Sequence, residues 1–197
     1  MSVDLLIKNA RLSFPTLVQP KEFKQGDGKP RWSATFLVQP GSETDKAIRA
    51  AIIEAAKEEW PKDWERKLKA IEGQKNQYCY LDGNTKTFDG YQDMMALSSH
   101  RSAKTKNGPN TPPAIVDKNP KNSLRDAATG ELIGGKPYAG CYVNAKVSFY
   151  AQSGENPGMR CSFSVIQFAD DGDAFSSSAP STDDLEDLSV GEEADIC

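Results

Sequence analysis

Alternation between apolar and polar side chains is sharpest late in the chain. From Cys141 to Tyr150 the odd positions are Cys141, Val143, Ala145, Val147 and Phe149; the even ones are Tyr142, Asn144, Lys146, Ser148 and Tyr150. A period of two marks a strand with one buried face. Met159, Cys161, Phe163 and Val165 alternate with Arg160, Ser162 and Ser164 in the same way, and Gln152 to Gly158 between the two runs reads as a hairpin loop. Earlier, Val3 to Phe14 predicts a first strand closed by Pro15 and Pro20. Arg31 to Val38 predicts a second, with Trp32, Ala34, Phe36 and Val38 on one face and Arg31, Ser33 and Thr35 on the other. Between Ser42 and Gly73 the period changes. Ala47, Ile48, Ala51, Ile52 and Ala55 form a helical stripe after a capping-box-like Ser42 and Asp45. Trp64, Leu68 and Ile71 give a second, short helix its apolar side, with Trp60 and Trp64 read as packing.

Tyr78 to Leu81 and Tyr91 to Arg101 are further strand candidates. Residues 102–137, rich in Pro, Gly, Asn and Lys, read as a long loop relieved only by Pro113 to Val116. Helices do not alternate with strands, which argues against a parallel α/β sheet. The fold class is mainly β: a five- to six-stranded, partly open barrel with a helical insertion after strand 2.

Charge changes the picture. Residues 170–197 hold ten acidic residues and no Lys or Arg, whereas residues 1–169 carry 24 basic against 18 acidic side chains. A body of formal charge +6 thus precedes a segment of −10, hidden in a net −4. The division predicts one domain over 1–169 and a flexible acidic tail over 170–197. A basic body with an acidic tail suits a protein that binds a polyanion and carries its own competitor. No run of about 18 apolar residues predicts a membrane span, and no signal peptide is visible. The four cysteines, Cys79, Cys141, Cys161 and Cys197, are scattered and read as reduced thiols of a cytosolic protein.

The polar face of the last hairpin offers two tyrosines, Tyr142 and Tyr150, around Lys146, with Arg160 on the partner strand. Rings that stack bases beside cations that hold phosphates are what sequence-tolerant binding of single strands requires. The alternative is cross-strand pairing that stabilises an exposed face. Arg101, Lys104, Lys106, Lys118, Lys121 and Arg125 against the single acid Asp117 make residues 98–125 a basic loop able to contact phosphates, or a plain solvated loop. Arg31 would point toward a ligand on the face opposite Trp32. Tyr78 and Tyr80 either extend the stacking surface or pack, and Phe88 and Tyr91 are equally ambiguous. There is no Walker-type glycine loop, no G-x-S-x-G and a single histidine, His100. Asp82 and Asp89, each followed by Gly, read as turn formers rather than metal ligands. No enzyme activity, cofactor or metal site is expected.

Asn9-Ala10-Arg11-Leu12-Ser13-Phe14-Pro15, the Ala- and Glu-rich stretch 47–59, Tyr138 to Ala145, Val147 to Ala151 and Ser164 to Phe168 resemble a family of tailed-bacteriophage proteins. That family, long of unknown function, is taken as phage single-stranded DNA-binding proteins with an OB fold. The resemblance spans roughly residues 3–170. It implies an OB-fold-like domain that binds single-stranded DNA without strong sequence preference, in phage replication, recombination or repair, in the cytoplasm of the infected host. The acidic stretch resembles the tails of bacterial and phage single-stranded DNA-binding proteins, which recruit replication or recombination proteins. Asp183, Asp184, Glu186, Asp187, Glu192, Glu193 and Asp195 would supply its charge and Ile196 its apolar tip, although the terminal aromatic common in such tails is missing. The rivals are a strand-annealing recombination protein, a phage protein-interaction module that binds no nucleic acid, and a metal-dependent nuclease.

Overall fold

The computed structural model describes residues 2–22, 28–154 and 156–176. Its first strand, β1 (Val3–Lys21), runs well past the expected end at Phe14 and through both prolines. The reason lies in its two partners. The first half of β1 pairs antiparallel with β8 (Tyr142–Gln152), and the second half with β2 (Arg31–Val38). Register shifts fall between Ile7 and Ala10, between Ser13 and Thr16, and between Thr16 and Lys21. Pro15 and Pro20 lie inside the last two irregularities, where the absent N–H removes no ladder bond. Asn9 and Phe14 adopt positive φ values of 52° and 45° at these kinks. Bulges bend and twist a strand, so β1 can serve two neighbours and curl the sheet.

The helical insertion follows β2, as expected. Helix α1 (Glu43–Glu59) starts where the Ser42 hydroxyl accepts the Asp45 N–H, and buries Ile48, Ala51, Ile52, Ala55 and Ala56. It packs on β1 and β8. A short α2 (Trp64–Ile71) leads to β3 (Tyr80–Asp82) and β4 (Met95–Ser102). Trp60 is buried and donates its indole N–H to Ser153 in the last hairpin loop at 2.9 Å.

Residues 102–137, expected as one loose loop, are built from short ordered pieces. β5 (Lys104–Thr105) and β6 (Gly108–Pro109) form a small separate hairpin. β7 (Ala114–Val116) pairs in parallel with β9 (Gly158–Asp170). Arg125, read from sequence as one of the loop's phosphate-binding cations, instead ties the segment down. Its guanidinium donates to the Leu17 carbonyl at 2.7 Å and the Gly130 carbonyl at 2.8 Å.

The main sheet runs β3-β4-β2-β1-β8-β9-β7. Its ladder is open at both edges, but β4 and β9 approach one another. The segment before β3 laces them: Met159 N–H donates to Gln77 O at 2.7 Å, and Ser98 N–H to Cys79 O at 2.8 Å. Ile7, Leu12, Phe36, Leu97, Val147, Phe149 and Phe163 fill the interior. Phe36 of β2 meets Phe163 of β9 edge-on across it, 6.2 Å between centroids. Cys79, Cys141 and Cys161 are buried free thiols, and burial pushes Cys141 up to about 11 and Cys161 up to about 12. Cys197 lies outside the described residues. No helix among the described residues is long and apolar enough to cross a membrane.

The register against β8 shifts twice in β9, at Ser164 and again at Ala169 near its end. Phe163 pairs with Val147 but Val165 pairs with Lys146, so Ser164 is an extra residue. Past this bulge Ile166 and Phe168 turn inward, and Val165, expected in the core, is only half-buried.

Candidate nucleic-acid interface

The β8–β9 hairpin presents outward the even positions of β8 and, on β9, Arg160 and Ser162 before the bulge and Val165 and Gln167 after it. Tyr150 pairs with Arg160, Ser148 with Ser162, Lys146 with Val165 and Asn144 with Gln167. Across β8, Leu6 of β1 lies beside Lys146, and both are exposed. Ser148 donates to the Asp4 carboxylate. Asn144 accepts the Asn9 N–H at 3.0 Å and donates to Gln167 at 3.1 Å, filling the kink in β1. Tyr150 is half-buried. Burial raises its phenol pKa, while the positive charges of Arg160 and Arg31 oppose the shift. Its hydroxyl therefore stays protonated at neutral pH, and Arg31 falls within electrostatic range of the hairpin. Arg160 is steadied by donating to the Asn76 carbonyl at 2.6 Å.

At the other end of β8 lies a second concentration of rings and cations. The Arg11 guanidinium sits 5.7 Å from the Tyr142 ring centroid and 4.4 Å from that of Phe175. It also donates to Gly140 O at 3.2 Å and Asp173 O at 2.8 Å. Lys136 lies over Phe168, 4.4 Å from the centroid, and pairs with Asp171 at 2.8 Å; Lys118 pairs with Asp170 at 3.1 Å. Tyr138 donates its hydroxyl to Asp171 at 3.0 Å. Hydrogen bonds from Lys136 and Tyr138 hold the Asp171 carboxyl below its ordinary value, and the Lys118 hydrogen bond does the same for Asp170.

The start of the acidic stretch, expected to be flexible, is thus laid across this end as residues 170–176. Its backbone passes so close to Gly140 that a Cβ there would collide with Asp173, and a Cβ at Gly90 would strike the Phe175 ring. Phe175 packs against the buried Leu37, Tyr91 and Ala96, which is why Leu37, on the outward parity of β2, is fully covered. The expected tail residues Asp183, Asp184, Glu186, Asp187, Glu192, Glu193, Asp195 and Ile196 lie outside the described residues.

Two of the expected stacking residues belong to the core. Tyr80 is 2% exposed, and its hydroxyl donates to the Asp45 carboxylate at 2.8 Å. Tyr78 is 8% exposed and bridges to Met159. Both face inward because residues 77–80 form the lacing between β4 and β9. Arg101 is committed locally, donating to Thr111 O at 2.8 Å and to the Asn110 and Thr111 side chains at 3.1 Å. It thereby anchors the β5–β6 hairpin, which carries Lys104 and Lys106 exposed. Arg31 pairs with Ser102 at the same end of β2 and β4.

Sequence reasoning missed Arg11, Lys136 and Tyr138. Arg11 lies just past a bulge, where simple alternation no longer tells which face a side chain takes. Lys136 and Tyr138 lie in irregular backbone with no period to read. Among the described residues no group of three or more His, Cys, Asp or Glu is placed to hold a metal ion.

Comparison with known proteins places this geometry in context. Protein p50 of Acyrthosiphon pisum secondary endosymbiont phage 1 is 34% identical over 196 residues, covering 96% of each chain. The single-stranded DNA-binding protein from bacteriophage Enc34, solved in complex with single-stranded DNA, superposes with a TM-score of 0.67 at 18% identity, over 88% of this chain and 89% of that one. The single-stranded DNA-binding protein gp2.5 of bacteriophage T7 gives a TM-score of 0.53 at 10% identity, over 94% and 97% of the two chains. At such identities the structures speak for a shared fold. The family model for the single-stranded DNA-binding protein of Enterobacter phage Enc34 matches residues 3–196, and the chain belongs to that family.

Proposed function

We propose that this chain is a phage single-stranded DNA-binding protein that holds its ligand without strong sequence preference and serves DNA replication, recombination or repair in the host cytoplasm. The observation that carries the reading is the outward face of β8–β9, where Tyr142, Lys146, Tyr150 and Arg160 alternate with buried core residues. Bases stack on the tyrosines, and the cations hold phosphates. Family membership and the Enc34 complex support it.

Strand order supports an OB barrel made of β1, β2, β4, β8 and β9. β1 pairs with both β2 and β8, β4 follows β2, and β9 follows β8. OB barrels present their second and third strands and two of their loops to oligonucleotides. In this chain those strands are β2 and β4, and the loop between the fourth and fifth strands joins β8 to β9. Arg31 and the exposed Lys104 and Lys106 then extend the phosphate track at the β2–β4 end, with Arg101 positioning the hairpin that carries the two lysines.

Residues 170–176 act as an internal competitor. They occupy Arg11, Lys118 and Lys136 with carboxylate or carbonyl oxygens and Arg11 with an aromatic ring, the chemistry a nucleotide would bring. The rest of the acidic stretch, through Ile196, is proposed as a handle for replication or recombination proteins. The chain is read as a binding protein, not an enzyme.

The test is equilibrium binding of a labelled thymidine oligonucleotide to wild type and to a Tyr142→Ala/Lys146→Gln/Tyr150→Ala variant, with matched duplex as control. Selective single-strand binding that disappears in the variant supports the reading. Equal binding by both proteins moves the site elsewhere, and no binding by wild type favours a protein-interaction role.

A further inference from the structure

Two large aromatic side chains outside the hairpin are exposed side by side. Phe14 is 55% and Phe88 49% exposed, with ring centroids 4.8 Å apart in an edge-to-face pair. The buried Tyr91 backs both, 6.3 Å from Phe14 and 5.4 Å from Phe88. Phe14 is held at a φ of 45°, a region where a bulky residue is an outlier. The kink that bends β1 thus also turns a phenyl ring toward water.

Phe88 also lines a cleft of about 470 Å³ with Gly73, Lys75, Leu81, Asp82, Lys86 and two threonines. Lys86 is held below the ordinary lysine value, first by burial and then by the charge of Lys75. Both lysines line this one cleft, and their like charges repel. The one carboxylate in the lining, Asp82, is turned to its own loop, accepting from Asn84 N–H at 2.9 Å and from the Asn84 side chain at 3.0 Å. An anion placed between the lysines would relieve their repulsion. A flat apolar group would cover the two rings.

We propose that Phe14 and Phe88 with Lys75 and Lys86 form a second subsite for single-stranded DNA, the rings stacking a base and the lysines gripping its phosphate. This rests on the reading of the chain as a single-stranded DNA-binding protein. Continuity supports the assignment. Tyr142 neighbours Arg11, Arg11 neighbours Phe175, and Phe175 packs on Tyr91, which backs the Phe14–Phe88 pair. Displacement of residues 170–176 by DNA thus uncovers Arg11 and the cluster of Leu37, Tyr91 and Ala96 that lie between Tyr142 and the Phe14–Phe88 pair, opening a path for a strand that leaves the hairpin at Tyr142.

The experiment measures binding of thymidine oligonucleotides of about 4 and about 16 nucleotides, the span of site sizes for an OB fold, by full-length wild type, Phe14→Gly, Phe88→Ala and Lys75→Gln/Lys86→Gln. Glycine adopts the Phe14 backbone conformation without strain, so Phe14→Gly removes the ring while keeping the kink. The lysine pair is on the surface, so its variant folds even where a ring variant does not. Loss of a ring weakens the long oligonucleotide at least about fivefold and leaves the short one unchanged. The lysine variant lowers the salt slope of the long oligonucleotide by about 0.7 for each phosphate it no longer neutralises. Wild-type affinity of all the variants for both lengths overturns the second subsite while leaving single-stranded binding intact. Equal losses on both lengths also overturn it, because the patch is then part of the primary site. No binding by wild type removes the parent reading and this one with it.

Discussion

Replacing Phe175 with alanine tests whether residues 170–176 shield the DNA site. The ring lies 4.4 Å from the Arg11 guanidinium, an arrangement worth about 0.5–1 kcal/mol at an exposed site. It is half-buried against Leu37, Tyr91 and Ala96, and half the transfer free energy of a phenylalanine is about 1 kcal/mol. Phe175→Ala therefore removes about 1.5–2 kcal/mol from the docked state. If docking and DNA exclude one another, apparent affinity is reduced by the fraction docked, and undocking raises it by up to about 10–30-fold. The ion pairs of Asp170 and Asp171 remain in this variant, so the gain stops short of that of full truncation. The assay is fluorescence anisotropy with a labelled thymidine oligonucleotide at low salt, alongside thermal unfolding. The segment lies on the surface of the sheet, so the thermal midpoint should hold. Unchanged affinity with a midpoint several degrees lower would rule out shielding and make Phe175 a piece of the fold.

Tyr142→Ala should weaken single-strand binding by about 1–3 kcal/mol with little change in the thermal midpoint; a large stability loss with intact binding would make the ring structural. Lys104→Gln/Lys106→Gln should lower the salt slope of binding by about 1.4 and leave stability alone, as read from a salt titration and a melt. Tyr80→Phe should destabilise the fold by about 1.5–3 kcal/mol in urea denaturation without altering DNA affinity, because it removes a buried donor to the Asp45 carboxylate. Burial alone would raise the Asp45 pKa, but hydrogen bonds from Gly41 N–H, Tyr80 and Arg49 outweigh it and hold the carboxyl below its ordinary value. A depressed carboxyl contributes stability above its unfolded pKa of about 3.9 and loses it as pH falls through the folded value. Wild type should thus weaken below about pH 4, and Tyr80→Phe should show a smaller acid-induced loss; equal stability of the two proteins at neutral pH would contradict the assignment.

The hairpin was legible because a period of two survives wherever one face is wet and the other dry. Cys141 to Tyr150 obeyed it at every position, as did β2 from Arg31 to Phe36. The helical insertion was legible from Ser42 and the alanine-isoleucine stripe for the same reason. Bulges defeated the rest. Ser164 reversed the parity of β9, and the kinks at Asn9 and Phe14 hid both the true length of β1 and the outward aim of Arg11 and Phe14. Tyr80 misled because a strand of three residues carries too few positions to show which face is inside. Its real partner, Asp45, stands 35 positions away. Residues 102–137 looked loose by composition, yet Arg125 binds carbonyls that only the folded chain brings together. The docking of residues 170–176 depends on the same long-range geometry, through Gly90 and Gly140.

Single-strand recognition is tested most directly by the binding of full-length protein and a 1–169 truncation to a thymidine oligonucleotide and to matched duplex across a salt series. Both proteins should prefer the single strand, with affinity that falls as salt rises and tightens on truncation, most at low salt. Failure of both to bind single-stranded DNA would contradict the proposed function.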